Sequence, residues 1–229
     1  MKATDLKYPF TWEERHPVLH ERVLFVPRHY ENHDVWPFPR WDSPSLFGKT
    51  GPVFVEYCSG NGEWILEKAR VEPHLFWVAV EKRFDRVRKI WLKMQKQKLT
   101  NLLVVCGDAL TFTKHYLPPC SIEGIYVNFP DPWPKPRHAR NRIFQEPFIK
   151  EISRVVKKGG GATLVTDDPP YSLQMIEQMQ IGDLWRSSFE APYFKTDWPS
   201  YGSSFFDALW RKKGKVIHYH QFINQKGVC

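Results

Sequence analysis

The chain has no Gly-x-Gly-x-x-Gly element, no Cys-x-x-Cys pair and no apolar run near the roughly 18 to 20 residues that a membrane span needs. The first absence argues against a dinucleotide cofactor, whose pyrophosphate wants a glycine cradle at a helix start. The second leaves four cysteines, at 58, 106, 120 and 229, at spacings that fit neither zinc nor a disulfide framework; they are expected as thiols in a reducing compartment, with no metal. The third argues against a membrane protein, and Met1-Lys-Ala-Thr-Asp5 lacks the apolar core of a secretory signal, so a cytoplasmic location is expected. Acidic residues are also in short supply. Against 33 Lys and Arg stand 25 Asp and Glu, a net charge of +8, which suits a polyanionic partner if the cations cluster. They do so at Lys135, Arg137, Arg140 and Arg142, and again at Arg211, Lys212, Lys213 and Lys215.

The 229 residues suffice for one well-buried domain. Residues 1–52 have no sustained period and are rich in Pro, His, Trp and Arg, and they are read as an irregular N-terminal arm. The arm's aromatics, interleaved with Arg15, Arg22, Arg28 and Arg40, suit either stacking on RNA or pinning the arm by burial, and both readings stay open. From Val53 to the end, strand and helix signals alternate. That pattern predicts an α/β domain over 53–229 with a mostly parallel sheet covered on both faces. Strands are predicted at 53–57, 75–81, 102–106, 123–129 and 162–166, with a last one at 215–222. A helix is expected over 83–98 with Val87, Ile90, Trp91 and Met94 on one face, and another over 143–156 stopped by Gly159-Gly-Gly161.

The first five strands each carry an acid at or near the carboxyl end: Glu56, Glu81, Asp108, Asp131 and Asp167. One such acid usually means a helix cap, whereas five along one sheet edge make a ligand site there more plausible. Glu81, at the end of the second strand, suits ribose hydroxyls. Gly60 and Gly62 in the turn after the first strand admit a ligand close to backbone. A nucleoside cofactor without pyrophosphate fits these features. After the fourth strand comes Asn128-Phe-Pro-Asp-Pro-Trp-Pro-Lys-Pro-Arg-His138, whose four prolines forbid a helix or central strand and stiffen a loop carrying Asp131, Trp133, Lys135, Arg137 and His138.

These residues resemble the bacterial single-chain tRNA (guanine-N7-)-methyltransferases over 53 to about 220. The similarity rests on Glu56-Tyr-Cys-Ser-Gly-Asn-Gly62, Glu81, Gly107-Asp108-Ala109, the stretch from Phe129 to His138, Thr166-Asp167, and Ser204-Phe-Phe-Asp207 ahead of Gly214. The resemblance implies a Rossmann-like class I methyltransferase fold with a final antiparallel strand. It implies S-adenosyl-L-methionine as cofactor, held by Glu56, Gly60, Gly62, Glu81, Asp108 and Asp131. It further implies tRNA as substrate, methylated at N7 of guanine 46 in the variable loop and bound by Lys135, Arg137, His138, Asp167, Ser204 and Asp207, with Asp131 catalytic. Three positions depart from the family pattern: Cys58 stands where the family has glycine, and Ser204 and Asp207 replace Thr and Glu.

The chemistry also follows from the residues. Guanine N7 is an exposed lone pair that needs alignment and no base, and a carboxylate accepting from N1 and N2 hydrogens steadies the charge that methylation leaves on the purine. Trp133 is read equally as a stacking platform or a structural wedge. Lys135, Arg137 and His138 are read as phosphate or nucleotide contacts. Two other readings remain, a noncatalytic RNA-binding protein on this fold and an amino-methyltransferase using Asn128-Phe-Pro130. Monomer and homodimer are equally compatible with the sequence.

Overall fold

In the computed structural model, which describes residues 1–202 and 204–226, the contacts divide the chain into two units, Met1–Leu117 and Pro118–Cys229. The first unit contains the short strands Val18–His20 (β1) and Val23–Phe25 (β2), then Val53–Tyr57 (β3), Phe76–Glu81 (β4) and Leu102–Cys106 (β5). Their order in the sheet is β1-β2-β5-β4-β3; β1 and β2 run antiparallel and the remaining pairs are parallel. β4 and β5 are buried at every residue, which is why they read as unbroken apolar runs. The otherwise irregular first segment thus contributes two strands to this sheet. Arg22 fixes their junction with β5 by donating to the carbonyl oxygens of Thr100 at 2.6 Å and Leu102 at 3.3 Å.

Three helices follow the parallel strands: Glu63–Val71 (α1), Phe84–Lys96 (α2) and Ala109–Tyr116 (α3). α2 buries Val87, Ile90, Trp91 and Met94, the stripe that its 3.6-residue spacing predicts. Burying side chains of this size stabilises the unit by about 1.5–3 kcal/mol each. The loops that leave the carboxyl ends of β3, β4 and β5 are thereby held on rigid supports.

The second unit contains Ile122–Asn128 (β6), Val156–Thr166 (β7), Trp185–Ser187 (β8) and His218–Asn224 (β9), in the order β6-β7-β9-β8. β6 and β7 are parallel, whereas β9 runs antiparallel to both β7 and β8, in keeping with the expected final antiparallel strand. Its helices are Glu146–Val155 (α4), Pro169–Gln180 (α5) and Phe205–Lys212 (α6). The sequence places a stop at Gly159-Gly-Gly161, but α4 ends at Val155 and the glycines lie inside β7. The reason is close approach. A Cβ on Gly160 would fall 2.4 Å from the Glu123 carbonyl oxygen, beside a register shift in the β6–β7 pairing. Asn224 ties β9 to the α4–β7 junction by donating to the carbonyls of Ser153 and Val156, each at 2.8 Å.

Cys58 and Cys106 are thiols, but Cys120 is disulfide-bonded, which corrects the expectation of unpaired cysteines; the part of that expectation concerning Cys229 lies outside the described residues. Pairing depends on where the fold brings Cβ atoms together, and sequence spacing records nothing of that. Among the described residues no helix is long and apolar enough to cross a membrane.

Gly62 links this packing to the turn after β3. It starts α1 at a φ of 79°, and a Cβ there would lie 2.8 Å from Ile90 Cγ1 on α2. Gly62→Ala therefore combines left-handed strain with overpacking, and a loss of about 2–4 kcal/mol is expected. Thermal melting of the variant checks it, and an unchanged Tm would contradict the assignment.

Candidate active site

At the carboxyl ends of β3 and β4, the chain builds a turn around one carboxylate. Glu81, 4% exposed, accepts from the backbone N–H of Gly60 through Oε2 at 2.9 Å and from that of Arg83 through Oε1 at 2.8 Å. Arg86 lies 3.7 Å from Oε2 and offsets part of the cost of burying the charge. The acid expected to meet ribose hydroxyls therefore also holds the turn after β3 against the end of β4. Gly60 takes a φ of 57°, and Cys58 takes 60°, a conformation costing a residue with a Cβ roughly 1–2 kcal/mol. The glycine of the family pattern would adopt it without strain. Glu56 is buried, and its carbonyl accepts from Ser59 Oγ at 3.0 Å. Asp108 serves as the N-cap of α3, accepting from Thr111 N at 3.1 Å. Gly62, in the same turn, lies where a Cβ would meet Ile90 Cγ1 at 2.8 Å, so packing against α2 also calls for a small residue there.

The residues that follow Glu81 and precede Asp108 line a cavity of about 480 Å³, within the usual range for small-molecule sites. Lys82 and Gly107 lie on its sheet-edge side, and Tyr8, Phe10, Phe25 and Phe84 supply aromatic walls. Tyr8 stacks obliquely on Phe84 with ring centroids 4.1 Å apart, and its hydroxyl lies 3.8 Å from Cys106 Sγ. Burial raises the Tyr8 pKa and pushes the Cys106 thiol up to about 11, so both stay protonated at neutral pH. Among the aromatics of the first 52 residues, Phe25 is fully buried in β2, Phe10 is half-buried and Tyr8 is 49% exposed. Trp12 is 58% exposed.

In the second unit the loop after β6 departs from ordinary backbone on both sides of Asp131. Phe129 has a φ of 50° and Trp133 of 43°, a region that costs roughly 1–3 kcal/mol for each such residue. Contacts with the rest of the unit hold the loop in this form. Phe129 N donates to the Val165 carbonyl at 2.8 Å, Arg142 Nε donates to the Pro132 carbonyl at 2.6 Å, and the Tyr201 hydroxyl donates to Asn128 Oδ1. Trp133 is half-buried and meets His138 edge to face at 5.8 Å. Asp131 itself is exposed. Of the five strand-end acids it alone is exposed with a carboxylate that takes no hydrogen bond or ion pair among the described residues. Lys135, Arg137 and Arg140, which follow it in the sequence, are also exposed.

The other expected substrate residues sit in more occupied surroundings. Asp167 is half-buried, 3.8 Å from Lys215 Nζ, and its neighbour Asp168 caps α5 through Tyr171 N at 2.8 Å. Ser204 is the N-cap of α6, accepting from Asp207 N at 3.1 Å. Asp207 is 4% exposed, with Arg211 Nε at 2.8 Å on one oxygen and the Tyr219 hydroxyl donating to the other. Burial first, and then the bond to Asp207, raise the Tyr219 pKa to about 12. This network takes Arg211 out of the expected basic cluster. Tyr201 and Arg142 carry no signal in the sequence that marks them as loop supports.

A family model described as "Putative methyltransferase" matches residues 50–219. A tRNA (guanine-N(7)-)-methyltransferase of Chlamydia felis (strain Fe/C-56) is 46% identical over 99% of this chain and 99% of its own length. Another of that name from Rubrobacter xylanophilus is 33% identical over 83% of this chain and 85% of its own. Among solved structures, the 16S rRNA methyltransferase KamB superposes with a TM-score of 0.61 at 15% identity, covering 83% of this chain and 96% of that one; at such identity the likeness shows the Rossmann-like class I methyltransferase fold alone. Identities of this size over 83–99% of the chain, with a family model matching residues 50–219, mean that the chain belongs to the tRNA (guanine-N7-)-methyltransferase family.

Proposed function

We propose that this protein transfers a methyl group from S-adenosyl-L-methionine to N7 of a guanine in tRNA, position 46 of the variable loop, in the cytoplasm. The observation that carries the reading is Asp131, an open carboxylate just past a strand end, set in strained prolyl backbone and followed in sequence by three exposed cations. Residues 53 to 229 are assigned to catalysis and 1 to 52 to an added segment, a division supported by a family match that begins at residue 50.

The first unit fits the cofactor: an aromatic-walled cavity for a purine adjoins a buried carboxylate with lone pairs to spare for ribose hydroxyls. Glu56, Gly60, Gly62, Glu81 and Asp108 hold it in this reading, with Asp131 adding a contact. Bound S-adenosylmethionine supplies an electrophilic methyl group on a sulfonium sulfur. The protein's own residues then have two tasks, alignment and charge placement. Guanine N7 needs no deprotonation, so the rate depends on holding its lone pair in line and on stabilising the cationic purine that forms. Asp131 accepts from N1–H and N2–H of the base, bonds that strengthen as positive charge develops. Lys135, Arg137 and His138 hold the flanking phosphates. Asp167, Ser204 and Asp207 are assigned to the substrate side; Asp207 meets substrate only on release from Arg211 and Tyr219.

Incubation with methyl-labelled cofactor and unmodified tRNA, followed by nucleoside mapping, tests the activity. Label in 7-methylguanosine is expected. Binding of tRNA without transfer would instead favour a noncatalytic RNA-binding protein, and label on an exocyclic amine would favour the amino-methyltransferase reading.

Glu81 gives a second test. Glu81→Ala removes the ribose acceptor and leaves the Gly60 N–H without its partner, so cofactor affinity is expected to fall roughly 10- to 100-fold, equivalent to about 1.5–3 kcal/mol, with a lower Tm. Affinity for tRNA should be unchanged. Calorimetry showing normal cofactor affinity in the folded variant would contradict the assignment.

A further inference from the structure

Arg142 belongs by sequence to the basic run that begins at Lys135, yet its surroundings differ from those of its neighbours. Arg137 and Arg140 are exposed, and their side chains make no hydrogen bond or ion pair among the described residues. Arg142 is half-buried, and its guanidinium is engaged on three sides. Nε donates to the Pro132 carbonyl at 2.6 Å, Nη1 donates to Gln174 Oε1, and Cζ lies 4.9 Å from the centre of the Tyr171 ring. Gln174 and Tyr171 lie on α5, whose first residues follow Asp167 and its capping neighbour Asp168. One side chain therefore joins the loop that carries Asp131 to the helix that starts beside Asp167.

We infer that Arg142 is a positioning residue for Asp131: it anchors the strained loop to α5 through the Pro132 carbonyl, and it is not one of the tRNA contacts. The inference rests on the assignment of Asp131 above. Prolines at 130, 132, 134 and 136 strip the loop of four N–H donors, so its own backbone offers little to satisfy its carbonyls and a donor must come from outside. The loop also holds Phe129 and Trp133 at positive φ, which persists only where the surroundings over-determine it. Arginine suits the task because its planar fork can serve two acceptors while stacking on an aromatic face, which a lysine ammonium cannot reproduce. When the anchor is removed, the carboxylate keeps its chemistry and loses its place.

The test compares Arg142→Lys, Asp131→Asn, the double variant and Arg140→Gln. Arg142→Lys is expected to lower the single-turnover rate of methyl transfer at saturating tRNA and cofactor by at least tenfold. It should leave the salt dependence of tRNA binding as in the parent, whereas Arg140→Gln lowers the slope of log K against log salt by roughly 0.7–0.9 for one lost phosphate contact. Amide hydrogen exchange in a peptide covering 128–142 should rise in Arg142→Lys while exchange in α2 and β5 stays as in the parent, which a general loss of stability would not produce. The double variant should be no slower than Asp131→Asn, because both changes remove the same placed carboxylate. A salt slope lowered as in Arg140→Gln with a normal saturated rate would overturn the proposal, as would a double variant slowed by the product of the two single effects. If Asp131→Asn alone keeps a normal rate, the reading of Asp131 fails. A slow Arg142→Lys with unchanged salt slope and local exchange confined to the loop would still show the anchor.

Discussion

A loop built from alternating prolines has almost no donors of its own, and the arrangement around Asp131 follows from that shortage. Its carbonyls must be met from outside, its φ angles are preset, and the two residues that turn the chain, Phe129 and Trp133, sit where side chains are disfavoured. The strain amounts to roughly 2–6 kcal/mol over the two positions, a large part of the net stability of an ordinary domain. It is offset by directed contacts from the Val165 carbonyl of β7, from Arg142, which residues of α5 hold in place, and from Tyr201 in the 199–201 turn. A carboxylate held in this way stays exposed without collapsing onto a neighbouring cation. That matters because Lys135 follows only four residues later. For a reaction that needs placement of charge and no base, a rigid open acid serves better than a reactive one.

The turn after β3 uses the same logic with a different material. Glu81 spends two acceptor sites on the N–H groups of Gly60 and Arg83, so the residue proposed to bind ribose also holds the turn in its ligand-ready form. Structure and recognition are thus joined in one carboxylate, and changing it is expected to affect both. Cys58 at a φ of 60° shows that the backbone of this turn has the form a glycine would take even though the sequence has none there.

Much of the fold was legible because the strands are buried on both faces. Continuous apolar runs gave β3 and β5 their observed limits, and the 3.6-residue stripe gave the buried face of α2. β1 and β2 escaped notice because three residues are too few to show a period, and β2 owes its burial to pairing with β5. The glycines of β7 read as a stop because the close approach of Glu123 is a tertiary fact. At the site, the cap role of Asp108 is visible in its spacing to Thr111, and the exposure of Asp131 is consistent with a loop too stiff to fold over it. The occupations of Asp207 and Arg142 were not legible, since an acid or a base has the same one-letter signature whether it faces solvent, a partner side chain or a carbonyl. The register of β9 brings Tyr219 to Asp207, and the fold of α5 brings Gln174 to Arg142.

The central claim is that Asp131 acts on the transition state from a fixed position. Single-turnover methyl transfer by Asp131→Asn, with tRNA and cofactor both shown to be saturating and with a melting curve for the variant, addresses it most directly. The account predicts a rate lower by roughly one to three orders of magnitude with Tm close to that of the parent, the range for a lost electrostatic stabiliser. A lower Tm with a normal rate per folded molecule would make Asp131 a structural residue and would contradict the placement of the reaction at this loop.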